Sequence, residues 1–256
     1  MTIKKNQKSV SGGPGRSLRE SHALRGKVAV ITGGSRGIGL AIARALAAQG
    51  CDLVITARTS ATVEEAGREL QSYKSRVVAT PCDVAKVPEV EALFALVRQE
   101  FGRVDILVNN AGISHAMAPV EQLPPEVWER VIATNLTGMF LVSRAAIPLM
   151  KAGSSIVNNI SVKQVFAGEA AYFASKHGAL ALTNTLREEL RKKKIRVVAL
   201  IVGATNTEIW NQFWPDAPRA NMMSPETIAE MVVRALVLPA NASVDELVIN
   251  PVTGML

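Results

Sequence analysis

From residue 27 onward, short apolar runs alternate with longer stretches in which apolar positions recur every three to four residues. The runs at 28–32, 53–56, 76–80, 106–108, 155–160, 196–201 and 246–249 predict strands. Helical spacing covers 37–49, 61–73, 86–101, 125–151, 170–193 and 225–237. Strands this short and this uniformly apolar fit a sheet covered on both faces. Their alternation with helices fits right-handed parallel crossovers. The pattern predicts one doubly wound α/β domain over 26–256, with a central parallel sheet of about seven strands flanked by helices.

Composition agrees with a folded chain. Hydrophobic residues make up 48% of the 256 and charged residues 20%, enough apolar surface for a large core and too much for global disorder. No uninterrupted apolar run reaches the roughly 18 residues that a membrane span needs, so a soluble, cytoplasmic protein is expected. The net charge of +7 first suggests a polyanionic partner. Residues 1–25, however, carry six basic side chains against Glu20 alone, and the remaining chain is only +2. The basic excess describes a tail, polar and glycine-rich, that is expected to be disordered. Neither nucleic acid nor membrane is an expected partner. Cys51 and Cys82 have no metal-ligand spacing, so no metal is expected, and a reduced intracellular setting is the simplest reading.

Chemistry enters at the end of the first strand, with Thr32-Gly33-Gly34-Ser35-Arg36-Gly37-Ile38-Gly39 opening into a helix. Glycines at 33, 37 and 39 permit a tight turn, close approach of backbone to a pyrophosphate, and close helix–strand packing. The helix start offers free N–H groups and partial positive charge to the phosphates. A glycine turn alone is a weak signal; between a strand and a helix it gains weight. An NAD-selective site places an acid at the end of the second strand to accept from the ribose 2′-OH. Here that strand runs into Ala57-Arg58. Arg58, with Arg36, offers guanidinium forks to a 2′-phosphate, which points to NADP(H).

Later motifs follow in order: Asp83-Val84, Asn109-Asn110-Ala111-Gly112, Asn135 in Asn135-Leu136-Thr137-Gly138, Tyr172-x-x-x-Lys176, then Gly203 and Thr207. Together they resemble the short-chain dehydrogenase/reductase family over roughly nine-tenths of the chain, and so imply its single-domain Rossmann fold. The resemblance implies that Asp83 and Val84 contact the adenine, although Asp83 also reads as a helix cap. It implies that Asn110, Ala111 and Gly112 lie beneath the cofactor ribose, and that Gly203 and Thr207 flank the nicotinamide. Ser35 and Ile38 belong to the phosphate loop itself.

Tyr172 and Lys176 lie four apart on a predicted helix and so project from one face. By resemblance, Tyr172 is the general acid/base for a carbonyl–alcohol pair, Lys176 lowers its pKa and holds the nicotinamide ribose, and Asn135 anchors a relay water. The family places a serine thirteen residues before the tyrosine, where this chain has Asn159. Ser161 is the preferred oxyanion donor, with a loop two residues shorter; the alternatives are Asn159 or no such donor at all. Lys163 and Gln164 add polarity near the substrate mouth. Trp210, Phe213, Trp214, Met222 and Met223 form a candidate apolar lid, or else pack onto the body or a second subunit. The expected activity is NADP(H)-dependent interconversion of a small ketone or aldehyde with an alcohol, in a homodimer or homotetramer. An inactive cofactor-binding scaffold is the alternative.

Overall fold

The computed structural model of the chain describes residues 23–161 and 164–254. The basic segment therefore lies, up to residue 22, outside the described residues, as does Lys163. Leu24 already belongs to the core: it is buried, and its carbonyl accepts from the Cys51 thiol at 3.4 Å.

Seven parallel strands form one sheet: β1 Val28–Thr32, β2 Asp52–Ala57, β3 Val77–Pro81, β4 Ile106–Asn109, β5 Ser155–Asn159, β6 Arg196–Val202 and β7 Glu246–Ile249. Their order is β3-β2-β1-β4-β5-β6-β7. The chain runs outward from β1 to one edge, then returns to β4 and runs to the other. The reversal leaves a crevice beyond the carboxyl ends of β1 and β4, where such sheets bind ligands.

Apolar side chains alternate across the sheet because successive residues of a strand point to opposite faces. Ala29 and Ile31 of β1 pack on one side against α1 (Gly37–Ala48), α2 (Ser60–Leu70) and α7 (Pro225–Leu236). Val30 packs on the other against α3 (Val87–Phe101), α5 (Gly138–Ala146) and α6 (Ala170–Arg191). β1 is buried along its whole length, whereas edge strand β7 alternates between exposed and half-buried residues. Three layers result.

The expected helix over 125–151 is interrupted. It comprises α4 (Pro125–Ile132), a π-helical turn over Ala133–Thr137, α5, and a final 3₁₀ turn over Ile147–Leu149. Apolar spacing reports which face is buried and does not distinguish i→i−4 from i→i−5 hydrogen bonds, so the bulge was invisible to the pattern. By length and hydropathy Pro125–Leu149 could cross a bilayer, but half of its most apolar window is buried within the protein, as in a core helix.

Candidate functional site

The glycine loop is locked before any ligand is considered. Gly33 and Gly37 have φ values of +63° and +53°, a region that favours glycine. A Cβ on Gly39 would lie 2.1 Å from the Gly33 carbonyl oxygen, so Gly39 serves the packing of α1 against the loop. Asn110 ties this turn to β4. Its Nδ2 donates to the Gly33 carbonyl at 3.1 Å, and its Oδ1 accepts from Asn159 Nδ2 at 3.0 Å. The Thr32 hydroxyl accepts from the amides of both Asn110 and Ala111 at 3.1 Å.

A long cleft runs over these residues. Gly33, Ser35, Arg36, Gly37, Ile38, Arg58, Val84, Asn110, Ala111, Gly112, Thr207, Tyr172 and Lys176 all line it. Gly39 lies behind it, and Gly203 opens instead into a neighbouring apolar cavity. Asp83 is also off the lining. Its Oδ1 accepts from the Ala85 amide at 3.1 Å, an Asx turn, while Lys86 occupies the N-cap of α3 without a side-chain bond. The helix-cap reading of Asp83 is thereby corrected. Arg58 is exposed and pairs with no carboxylate among the described residues, whereas Arg36 donates to Glu208 Oε2 at 2.6 Å across the cleft mouth.

Tyr172 and Lys176 project from the first two turns of α6. Lys176 is only 4% exposed, and its Nζ donates to the Asn159 carbonyl at 2.8 Å while lying 5.7 Å from the centre of the Tyr172 ring. Burial brings its pKa down to about 8. The Ser161 hydroxyl hydrogen-bonds the Tyr172 phenol. Ser161 has φ +67°, a conformation that serine rarely adopts and that turns the chain out of β5 toward the tyrosine. Burial pushes the Tyr172 phenol up to about 12, opposed by the Ser161 bond and reinforced by Glu169. The lysine-driven fall expected from the sequence is absent in the chain alone: burial dominates, and only the Ser161 bond opposes it. Asn159 spends its side chain on Asn110 and its carbonyl on Lys176, so Ser161 is the hydroxyl beside the phenol.

Asn135 is 1% exposed, in the middle of the π turn. Its Oδ1 accepts from the Ile113 amide at 2.8 Å, and its Nδ2 donates to the Ile113 carbonyl at 2.9 Å and to Ser175 Oγ at 3.0 Å. The side chain clamps the segment following Gly112 to α6. A second buried polar ladder crosses the sheet behind the site. Asn109 Nδ2 donates to Ser143 Oγ and to Asn158 Oδ1, and Asn158 Nδ2 donates to Thr183 Oγ1 on α6.

The apolar cavity beside the cleft holds about 180 Å³ and is walled by Met117, Phe166, Phe173, Ile209, Trp210 and Trp214. The sequence profile described as short chain dehydrogenase matches residues 27–218. The chain belongs to the short-chain dehydrogenase/reductase family of oxidoreductases. An uncharacterised oxidoreductase of Staphylococcus haemolyticus is 34% identical over 90% of this chain and 99% of its own. A D-β-hydroxybutyrate dehydrogenase of Cupriavidus necator is 38% identical over 70% of this chain and 71% of its own. Among solved structures, an alcohol dehydrogenase of Thermococcus sibiricus complexed with 5-hydroxy-NADP superimposes with a TM-score of 0.82 at 34% identity, covering 88% of this chain and 97% of that one. L-Sorbose reductase of Gluconobacter frateurii, complexed with NADPH and L-sorbose, gives 0.82 at 30% identity over 90% and 97%.

Within this short-chain dehydrogenase fold the expected lid is only partly at the cavity. Trp210 and Trp214 reach it, with ring centres 6.2 Å apart. Met223 instead packs on the core and bridges to Thr205, and neither it nor Met222 lines the cavity. The Phe213 side chain is not among those described. Sequence reasoning missed Met117, Phe166 and Phe173. Phe173 adjoins Tyr172, and a helical wheel would have put it near the site; the other two come from loops without periodicity. It also missed Glu169, three residues before the tyrosine.

Proposed function

We propose that the chain is an NADP(H)-dependent oxidoreductase that interconverts a small ketone or aldehyde with an alcohol, with Tyr172 as general acid/base. One observation carries the reading: Tyr172 lines both the glycine-loop cleft and the apolar cavity, so a single phenol faces both compartments. NADP(H), when bound, supplies or accepts the hydride. The glycine cradle fits it, since the turn around Gly33 and Gly37 leaves backbone N–H groups at the start of α1, and Arg58 stands at the cleft edge with no carboxylate partner among the described residues. The NADP-bound state of the Thermococcus sibiricus and Gluconobacter frateurii relatives supports the same choice.

In this reading Arg58 and Arg36 hold the 2′-phosphate, Val84 meets the adenine while Asp83 shapes the turn beside it, and Asn110, Ala111 and Gly112 support the ribose. Gly203 and Thr207 flank the nicotinamide. Ser161 donates to the substrate oxygen, worth several kcal/mol where charge develops there. Tyr172, a phenol that burial keeps well above neutrality, delivers its proton to that oxygen. Lys176 positions the ribose and refills the phenol, and the backbone of Asn135 carries the relay water, since its side chain is fully engaged. A cytoplasmic homo-oligomer belongs to the same reading, supported by the exposed Trp128 on α4 and Phe140 on α5, which offer apolar surface to a second copy.

The test is fluorescence titration of wild type and Arg58→Ala with NADPH and NADH, followed by a carbonyl screen with the preferred cofactor. Loss of one charge-assisted phosphate contact, about 1.5–3 kcal/mol, should weaken NADPH roughly tenfold to a hundredfold and leave NADH unchanged. Equal binding of both cofactors by wild type overturns the arginine argument; binding without any turnover leaves a scaffold.

A further inference from the structure

Glu169 is the one carboxylate among the described residues that line the mainly apolar cavity. The residue is 2% exposed, yet it borders the cavity together with Phe166, Phe173, Trp210 and Trp214. One of its oxygens, Oε2, accepts from the Ser114 hydroxyl at 2.7 Å. The other, Oε1, is buried and has no hydrogen-bond partner among the described residues. No lysine or arginine among the described residues lines the cavity, and the only other ionisable side chain there is Tyr172. His115 lies close enough to act on the carboxylate electrostatically, but its Nδ1 is committed to the Ala116 carbonyl and its Nε2 has no partner.

An unpartnered buried acceptor is costly, and evenly apolar walls would have been the simpler way to hold an apolar substrate. The acceptor is matched by a donor that arrives with the ligand. Aromatic faces around a carboxylate favour one donor type in particular: a cation gains from the ring quadrupoles as well as from the charge, whereas a neutral hydroxyl gains only a hydrogen bond. An anionic substrate finds no balancing cation and is repelled. Resting on the oxidoreductase reading above, we propose that Glu169 is the specificity residue of this cavity, and that it selects carbonyl compounds, or the matching alcohols, that carry a protonated amine on a small apolar body. Burial holds the empty carboxyl above the ordinary carboxylate range, opposed by the Ser114 bond and His115, so an ammonium also restores the ionised form.

Three methyl ketones of matched length test this with the full chain and NADPH: 5-(dimethylamino)pentan-2-one, its uncharged isostere 6-methylheptan-2-one, and 5-oxohexanoate. Wild type should show kcat/KM for the amine at least about tenfold above the isostere, with the acid poorest. Glu169→Gln keeps the shape and an acceptor for Ser114 but removes the charge. It should bring the amine down to the level of the isostere and change the isostere less than about threefold. Wild type that treats amine and isostere alike, or prefers the acid, overturns the proposal, and so does a variant in which all three ketones fall by one common factor. The wild-type comparison stands even if the variant does not fold. Trp210 and Trp214 give a separate readout of binding to the NADPH complex by fluorescence. Glu169-dependent amine binding without turnover would keep the specificity and discard the oxidoreductase reading; turnover of all three without charge preference would do the reverse.

Discussion

Lys176→Met should abolish turnover and make the protein more stable at neutral pH. The lysine ammonium is 4% exposed and, among the described residues, has a single acceptor, the Asn159 carbonyl at 2.8 Å, and no carboxylate beside it. Its pKa falls from 10.5 to about 8 on folding. Each pH unit of difference corresponds to about 1.4 kcal/mol, so at pH 7 the folded state carries a penalty of about 3 kcal/mol for holding the cation. Methionine fills a similar stem without charge and gives up one hydrogen bond worth roughly 0.5–1.5 kcal/mol, which leaves a net gain of about 2 kcal/mol. The pH dependence fixes the sign. Because the folded pKa lies below the unfolded one, the penalty is complete below about pH 8, shrinks as pH rises through the interval to 10.5, and is gone above it. Wild type should therefore gain stability between those limits: the penalty drops to about 1.4 kcal/mol at pH 9.5, so the advantage of the variant should nearly vanish there. Urea unfolding of both proteins without cofactor, at one fixed concentration and at pH 7 and 9.5, reads this directly. A variant that is less stable at pH 7, or whose advantage does not change with pH, refutes the reasoning.

Ser161→Ala should lower kcat about a hundredfold while KM for NADPH stays within about twofold, since only the donor to the substrate oxygen is lost. Asn159→Ala should do the opposite, weakening NADPH more than it slows turnover, because Asn159 steadies Asn110 under the glycine loop; steady-state kinetics of the pair decide between the two donors. Glu208→Gln should tighten NADPH by up to about fivefold, an effect that fades in high salt, because it frees Arg36 from an exposed ion pair worth about 0.2–1 kcal/mol.

The seven strands and five of the six expected helices were legible because each depends on local periodicity, and their observed ends lie within three residues of the expected ones. The cleft was legible for a different reason. Gly33, Gly37 and Arg58 are required by backbone geometry and charge, and those requirements leave residue types at fixed spacing. The cavity was not. Met117 and Phe166 reach Tyr172 from loops, and Glu169 carries no signal in the sequence beyond being an acid near a helix start. Asn135 was singled out for a water, yet what its side chain does, clamping Ile113 to α6, depends on a π turn that the apolar pattern does not register. The swing of Tyr172 up to about 12 rather than down was also out of reach, since burial is a property of the assembled fold.

The ladder from Ser143 through Asn109 and Asn158 to Thr183 has a consequence for how this fold tolerates change. Methyl groups packed on methyl groups allow a helix to slide by fractions of an ångström with little penalty, because dispersion is nearly indifferent to direction. A hydrogen bond is directional and weakens steeply when tilted. Thr183 lies two turns beyond Lys176 on the same helix, so Asn158 indexes the tyrosine–lysine pair to the sheet much as a dowel aligns two machined plates. Apolar residues of β4 and β5 can then drift to others of similar size over evolutionary time while the pair keeps its registration. The substitutions that throw it out of alignment are amide-to-aliphatic changes at positions that touch neither compartment of the site.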